Sequence, residues 1–171
     1  MTSSTDSRTP SDVARETFRV LFEERDLSDP YRFWTDDSVD HFLAAGRSVR
    51  GAEALAQWFR DVFAAMPDWT LEVENTVDDG ERQVVVQWHA TATFIGAPFL
   101  GIEPTGRRLD IRGCDVIVLD DDYKVVTNTV YYDGAEFARQ VGLLPPRDSA
   151  ADRAMLTAFN GATKLKKRLG R

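Results

Sequence analysis

Apolar positions recur at helical spacing through the first third of the chain and then switch to alternation. Behind Thr9 and Pro10, which suit a cap and a first helical turn, Val13, Phe18, Leu21 and Phe22 predict a helix running to about Asp26. "SDPYR" predicts a turn into a short helical segment ending near Trp34, and "SVDHFLAAGRSVRG" a short strand, a glycine turn and a second extended piece. In "AEALAQWFRDVFAAM", Leu55, Trp58, Phe59, Val62 and Phe63 form the stripe of a helix that stops before Pro67. The period then becomes two. "TLEVENTV", "RQVVVQWHATATF", "RRLDIRGCDVIVL" and "KVVTNTVYY" predict four antiparallel strands in hairpins, divided by "DDGE", a Gly/Pro-rich stretch and "DDDY". "SAADRAMLTAFNGATKLKKRL" predicts a last helix capped by Ser149, with Met155, Leu156 and Phe159 as its apolar contacts. Helices followed by a curved antiparallel sheet predict an α+β domain whose sheet wraps the helices and leaves one open end as a pocket.

Composition narrows the function classes. The 171 residues, 43% hydrophobic and 29% charged, suit one domain with a substantial core. No run of about 18 apolar residues could insert in a membrane, and "MTSSTDSRTP" lacks a leader pattern, so a cytoplasmic protein with a disordered N-terminus over residues 1–11 is expected. Cys114 has no partner for an internal disulfide, and two histidines give no zinc-ligand spacing, so no metal is expected. A net charge of −7 argues against a nucleic-acid partner. The charge is uneven: residues 149–171 carry Arg153, Lys164, Lys166, Lys167, Arg168 and Arg171 against Asp152 alone, a net +5 that leaves −12 on the rest of the chain.

Three stretches carry a family resemblance. "GAPFLGIEPTGRRLDIRG", "YYDGAEFARQVGLLP" and "RGAEALAQWFRDVFAAMPDWTLEV" are similar to the loop signature, the Asp and Gln-Leu-Gly ending and the helix–turn–strand unit of SnoaL-like polyketide cyclases, across residues 12–146. The resemblance implies the nuclear transport factor 2-like cone, a homodimer formed through the sheet, and a place in secondary metabolism. Residues 147–171, a helix with a basic tail, fall outside the pattern. The activity implied is a cofactor-free, intramolecular aldol-type ring closure on a hydrophobic carbonyl substrate, although one such fold hosts cyclases, isomerases, epoxide hydrolases and non-enzymes.

In that family the aspartate before the final Gln-Leu-Gly segment is the general acid/base, and Asp133 stands in its place. Burial beside Tyr131 and Tyr132 would raise its pKa and strengthen it as a base; the alternative is that it caps the helix "GAEFARQV". Strand parity puts Tyr131 and Thr129 on the face of Asp133. One hairpin register, with Leu119 opposite Lys124, sets Arg112 against Tyr131 and Asp110 against Asp133. A bulge or a one-residue shift brings Asp115 and Asn128 into the pocket instead. The resemblance also points to Asp115 as a polar pocket residue and to His41 as a group that orients a carbonyl. His89 alternates onto the outer face, and Trp34, Trp58, Trp88 and Phe99 are candidates for an apolar lining. Two further readings remain: an epoxide hydrolase of the limonene-epoxide-hydrolase kind using Asp110, Arg112 and Asp133, and a non-catalytic small-molecule-binding module.

Overall fold

The computed structural model describes residues 8–170; residues 1–7 of the expected disordered terminus lie outside the described residues. Thr9 and Asp12 form a reciprocal capping box for α1 (Pro10–Phe18), which continues as a π-helical turn over Arg19–Glu24. That wider turn ends at Arg25 in the left-handed region, φ 54°. It leaves Phe18, Leu21 and Phe22 packed toward the sheet, and π turns of this kind gather at functional sites. A 3₁₀ turn at Pro30–Arg32 leads into β1 (Trp34–Phe42), followed by β2 (Arg47–Arg50) and α2 (Ala52–Ala65).

The alternating segments form β3 (Thr70–Asp78), β4 (Gln83–Thr93), β5 (Arg108–Leu119) and β6 (Val125–Tyr132). The sheet order is β2-β1-β6-β5-β4-β3, and the one parallel pair is β1 with β6. The four strands expected to pair antiparallel in hairpins do so, and the early strand crosses over to lie parallel beside the last one. One face of the curved sheet wraps α1 and α2, and the core lies between them, around Leu55, Phe59, Val84, Val86 and Ile117.

Two helices follow the sheet, α3 (Gly134–Gln140) and α4 (Ala150–Leu169). Ser149 accepts from the Asp152 N–H and caps α4 as expected. The expected contacts of Met155, Leu156 and Phe159 are absent, because all three are exposed. The helix leaves the domain after its first turn, and only Asp152 of its residues is buried.

Candidate active site

β1, β5 and β6 carry the polar floor of a partly open cavity of about 100 Å³ under α1 and α2. Its walls are aromatic and aliphatic, with Trp34, Trp58, Trp69, Trp88, Phe59 and Phe99 among them. Among the described residues, Asp40 and Asp115 are the only ionisable acids or bases of the Asp, Glu, Lys, Arg and His types that line it. Parity explains both positions. On β1, Ser38, Asp40 and Phe42 are buried while His41 is only half-buried; on β5, Asp115 shares the inward face of Ile111 and Ile117.

A hydrogen-bonded chain joins the two carboxyls. The Trp88 Nε1–H donates to Asp115 Oδ1 at 2.8 Å, and the Asn128 amide donates to Asp115 Oδ2 at 2.8 Å and to Asp40 Oδ2 at 3.4 Å. Trp88 reaches Asp115 because Gly113 has no side chain: a Cβ there would meet the indole ring at 2.5 Å and the Tyr131 carbonyl oxygen at 2.4 Å. Asp40 Oδ1, Asn128 Oδ1 and Trp69 Nε1 are buried without a hydrogen-bond partner among the described residues.

Burial and like charge set the protonation of the pair. Desolvation first, and the neighbouring Asp115 second, push Asp40 up to about 8. Desolvation raises Asp115 to about 6 against the hydrogen bonds from Asn128 and Trp88 that favour its anion. Both carboxyls are held above the ordinary carboxylate range, Asp40 further than Asp115, a separation of environments of the kind that divides an acid role from a base role.

The cavity's outer wall is the edge-to-face pair of Trp58 and Phe99, with ring centroids 5.3 Å apart. Phe99 lies in the loop between β4 and β5, and this loop is tied to the end of α2 by the Gly96 and Ala97 N–H groups, which donate to the Ala65 and Ala64 carbonyls at 2.8 Å each. Only glycine fits at position 96, since a Cβ would come within 1.9 Å of the Ala64 oxygen. Beyond the pair lies an outer groove lined by Arg47, Asp61 and the Ala97–Gly101 segment.

The sequence-derived candidates divide between the cavity and the surface. Asp115, Asn128, Trp34, Trp58, Trp88 and Phe99 line the cavity together. Asp133 instead takes the capping position: its carboxylate accepts from the Ala135 and Glu136 N–H groups at 2.9 Å each and faces Arg147 at 3.7 Å. Those backbone donors hold its pKa below the ordinary value, opposite to the expected rise. Tyr132, not Tyr131, faces the cavity, and Tyr131 is exposed on the outer face. His41 is hydrogen-bonded to Ser48 through Nδ1 at 2.8 Å.

Asp110 and Arg112 also lie outside. Asp110 is 2.8 Å from His89 Nε2, and Arg112 pairs with Glu74 on the outer face. Cys114, not Arg112, stands opposite Tyr131, because Leu119 pairs with Val125 rather than Lys124 and a bulge between Val118 and Leu119 adds a second residue of displacement. A shift of two residues keeps Arg112 on the face of Tyr131, so neither expected register is met; the opposite face, with Asp115 and Asn128, is the one turned inward, and Asp110, Arg112 and Asp133 have no common cavity. Asp40 was missed in the sequence, although its alternation with Trp34, Ser38 and Phe42 was the available signal.

Comparison with known proteins agrees with this architecture. The family model described as SnoaL-like polyketide cyclase matches residues 12–141. No curated protein matches the chain. Among solved structures, AclR from Streptomyces galilaeus, provisionally assigned as a hydroxylase, superposes with a TM-score of 0.65 at 22% identity, over 95% of this chain and 97% of that one. A provisionally assigned SnoaL-like polyketide cyclase from Jannaschia sp. CCS1 gives 0.68 at 21% identity, over 84% and 100% of the two chains. IdmH from Streptomyces antibioticus, provisionally assigned as a polyketide cyclase, gives 0.62 at 23%, over 78% and 98%. At these identities the structural likeness establishes the fold. Among the described residues, no helix is long and apolar enough to cross a membrane.

Proposed function

Because the chain belongs to the SnoaL-like polyketide cyclase family, we propose that it is a cofactor-free cyclase that closes a ring by intramolecular aldol addition in the apolar cavity. The observation that carries this reading is the Asp40–Asn128–Asp115 cluster, an acid and a base enclosed among aromatic walls with no competing cation. Ionised Asp115 removes a proton from a carbon flanked by carbonyl groups. The resulting enolate carbon bonds to a second carbonyl carbon of the same molecule, and protonated Asp40 gives its proton to the oxygen that becomes a hydroxyl. One proton then passes from Asp115 back to Asp40, so the product is an isomer of the substrate and the enzyme is unchanged. Trp88 and Asn128 keep Asp115 in place and ionised through their hydrogen bonds.

The substrate class follows from the lining. With two carboxyls and no cation, the cavity favours an uncharged, flat, oxygen-bearing molecule. Its volume is below the roughly 150 Å³ of a cavity that takes benzene, so it fits the reacting end alone. The remainder would lie in the outer groove after Phe99 swings away from Trp58. A homodimer is part of the proposal, with the outer sheet face as its contact surface.

The test uses small aromatic β-keto esters in deuterated water, with exchange at the carbon between the carbonyls followed by proton NMR. The reading expects enzyme-dependent exchange that Asp115→Asn abolishes and Asp133→Asn retains. Exchange lost with Asp133→Asn and kept with Asp115→Asn would reverse the assignment. Binding without exchange would favour a carrier module.

A further inference from the structure

α4 leaves its apolar side chains uncovered by its own domain. Met155, Leu156 and Phe159 lie within about a third of its circumference, and Phe159 is 67% exposed. The helix root, in contrast, is held firmly. Asp152 accepts from the Asp148 N–H at 3.1 Å, Arg153 donates to the Asp148 carbonyl at 2.5 Å, and Pro145 and Pro146 stiffen the chain just before. Most of a protein helix's stability comes from packing of its apolar face rather than from propensity. Its stripe calls for a cover that the root contacts keep away from its own sheet.

The outer face of the sheet has the complementary surface. A shallow groove there is lined by Val77, Val85, Cys114 and Tyr131, with Val77 61% exposed. Next to it, the β3–β4 and β5–β6 turns gather Asp79, Glu81, Asp120, Asp121 and Asp122, and the Arg82–Asp121 ion pair joins the two turns. The spacings agree. Phe159 to Lys167 is about 12 Å along a helix, and Val85 back to Glu81 is about 13 Å of extended chain. A helix with Phe159 in the groove therefore carries Lys164, Lys166 and Lys167 to the acidic turns. The charges agree as well, a +5 tail against a −12 body.

We infer that α4 of one copy lies along the outer sheet face of a second copy, with Met155, Leu156 and Phe159 in the groove and the basic end on the acidic turns. Within one chain the stripe and the groove are both open, while α3, which precedes α4, is fixed at the opposite end of β5 by Gln140, whose amide donates to the Asp110 carbonyl at 3.0 Å. An exchanged arm covers both surfaces at once; it rests on the proposed homodimer through the outer sheet face and not on the cyclase chemistry.

The experiment places a thiol on the arm opposite the native one in the groove. Under mild oxidation, Phe159→Cys is expected to give a covalent dimer on a non-reducing gel, and Cys114→Ser in the same chain is expected to remove it. A dimer that persists without Cys114 means helix-to-helix pairing. A crosslinked monomer means that the arm folds onto its own sheet. Either result, or no crosslink at all, overturns the inference. Sedimentation of the unmodified chain gives a second reading: a dimer that Phe159→Glu dissociates with unchanged circular dichroism supports the exchange, and a monomer or an unaffected dimer refutes it.

Discussion

Replacing Asp40 with Asn should make the protein more stable, by an amount that grows with pH. Asp40 is 1% exposed and has its pKa raised from 3.8 to about 8, so the folded chain holds a proton that the unfolded chain releases. Stability from this group is complete below pH 3.8 and is lost progressively as pH rises toward 8. At pH 7 the difference of 3.2 units, at 1.36 kcal/mol each, gives up to roughly 4 kcal/mol. Asn has nearly the shape of the protonated acid and does not titrate, so the two proteins should match near pH 4. Urea unfolding followed by tryptophan fluorescence at pH 4, 6 and 8 is the assay. The margin in favour of Asn should widen by up to about 1.4 kcal/mol per pH unit and level off near pH 8. A margin independent of pH, or an Asn variant less stable than the parent at pH 8, would refute a buried protonated Asp40. A group that costs stability where it stands is what a functional role would maintain.

Three further outcomes follow from the same geometry. Asp115→Asn should lower turnover, or the surrogate proton exchange, by about 10²- to 10⁴-fold with binding retained, read by steady-state kinetics alongside calorimetry. Asp133→Ala should cost a modest loss of thermal stability from the missing cap of α3 and leave turnover within a few-fold, read by melting curves and the exchange assay. Gly113→Ala should destabilise by about 1–3 kcal/mol through the clash with Trp88 and the Tyr131 carbonyl, with a change in tryptophan emission as the indole leaves Asp115.

The fold was largely legible because its signals are local. Thr9, Ser149, Pro67 and the switch in period mark element ends that depend on neighbouring residues alone. The candidate site was legible only in part. Asp115 and Asn128 could be assigned to a face, but which face turns inward depends on how the sheet curves around α1 and α2, which alternation along a strand does not encode. Asp133 is ambiguous by chemistry, since a carboxylate ahead of a helix serves equally as a cap or as a base, and only its distance from the cavity separates the two. Asp40 was readable by parity with Phe42, whereas its neighbour His41 lies on the other side of β1. Whether α4 covers its own domain depends on the path through Pro145 and Pro146, which helical periodicity does not encode.

The central claim is that the working carboxyls are the enclosed pair. Carbon-13 NMR titration of labelled aspartates, assigned with Asp40→Asn, Asp115→Asn and Asp133→Asn, tests it most directly. The pair should titrate in two steps near 6 and 8, with Asp133 below its ordinary value. A pair that titrates near 4 while Asp133 titrates well above it would contradict the account and return the catalytic role to the residue before α3.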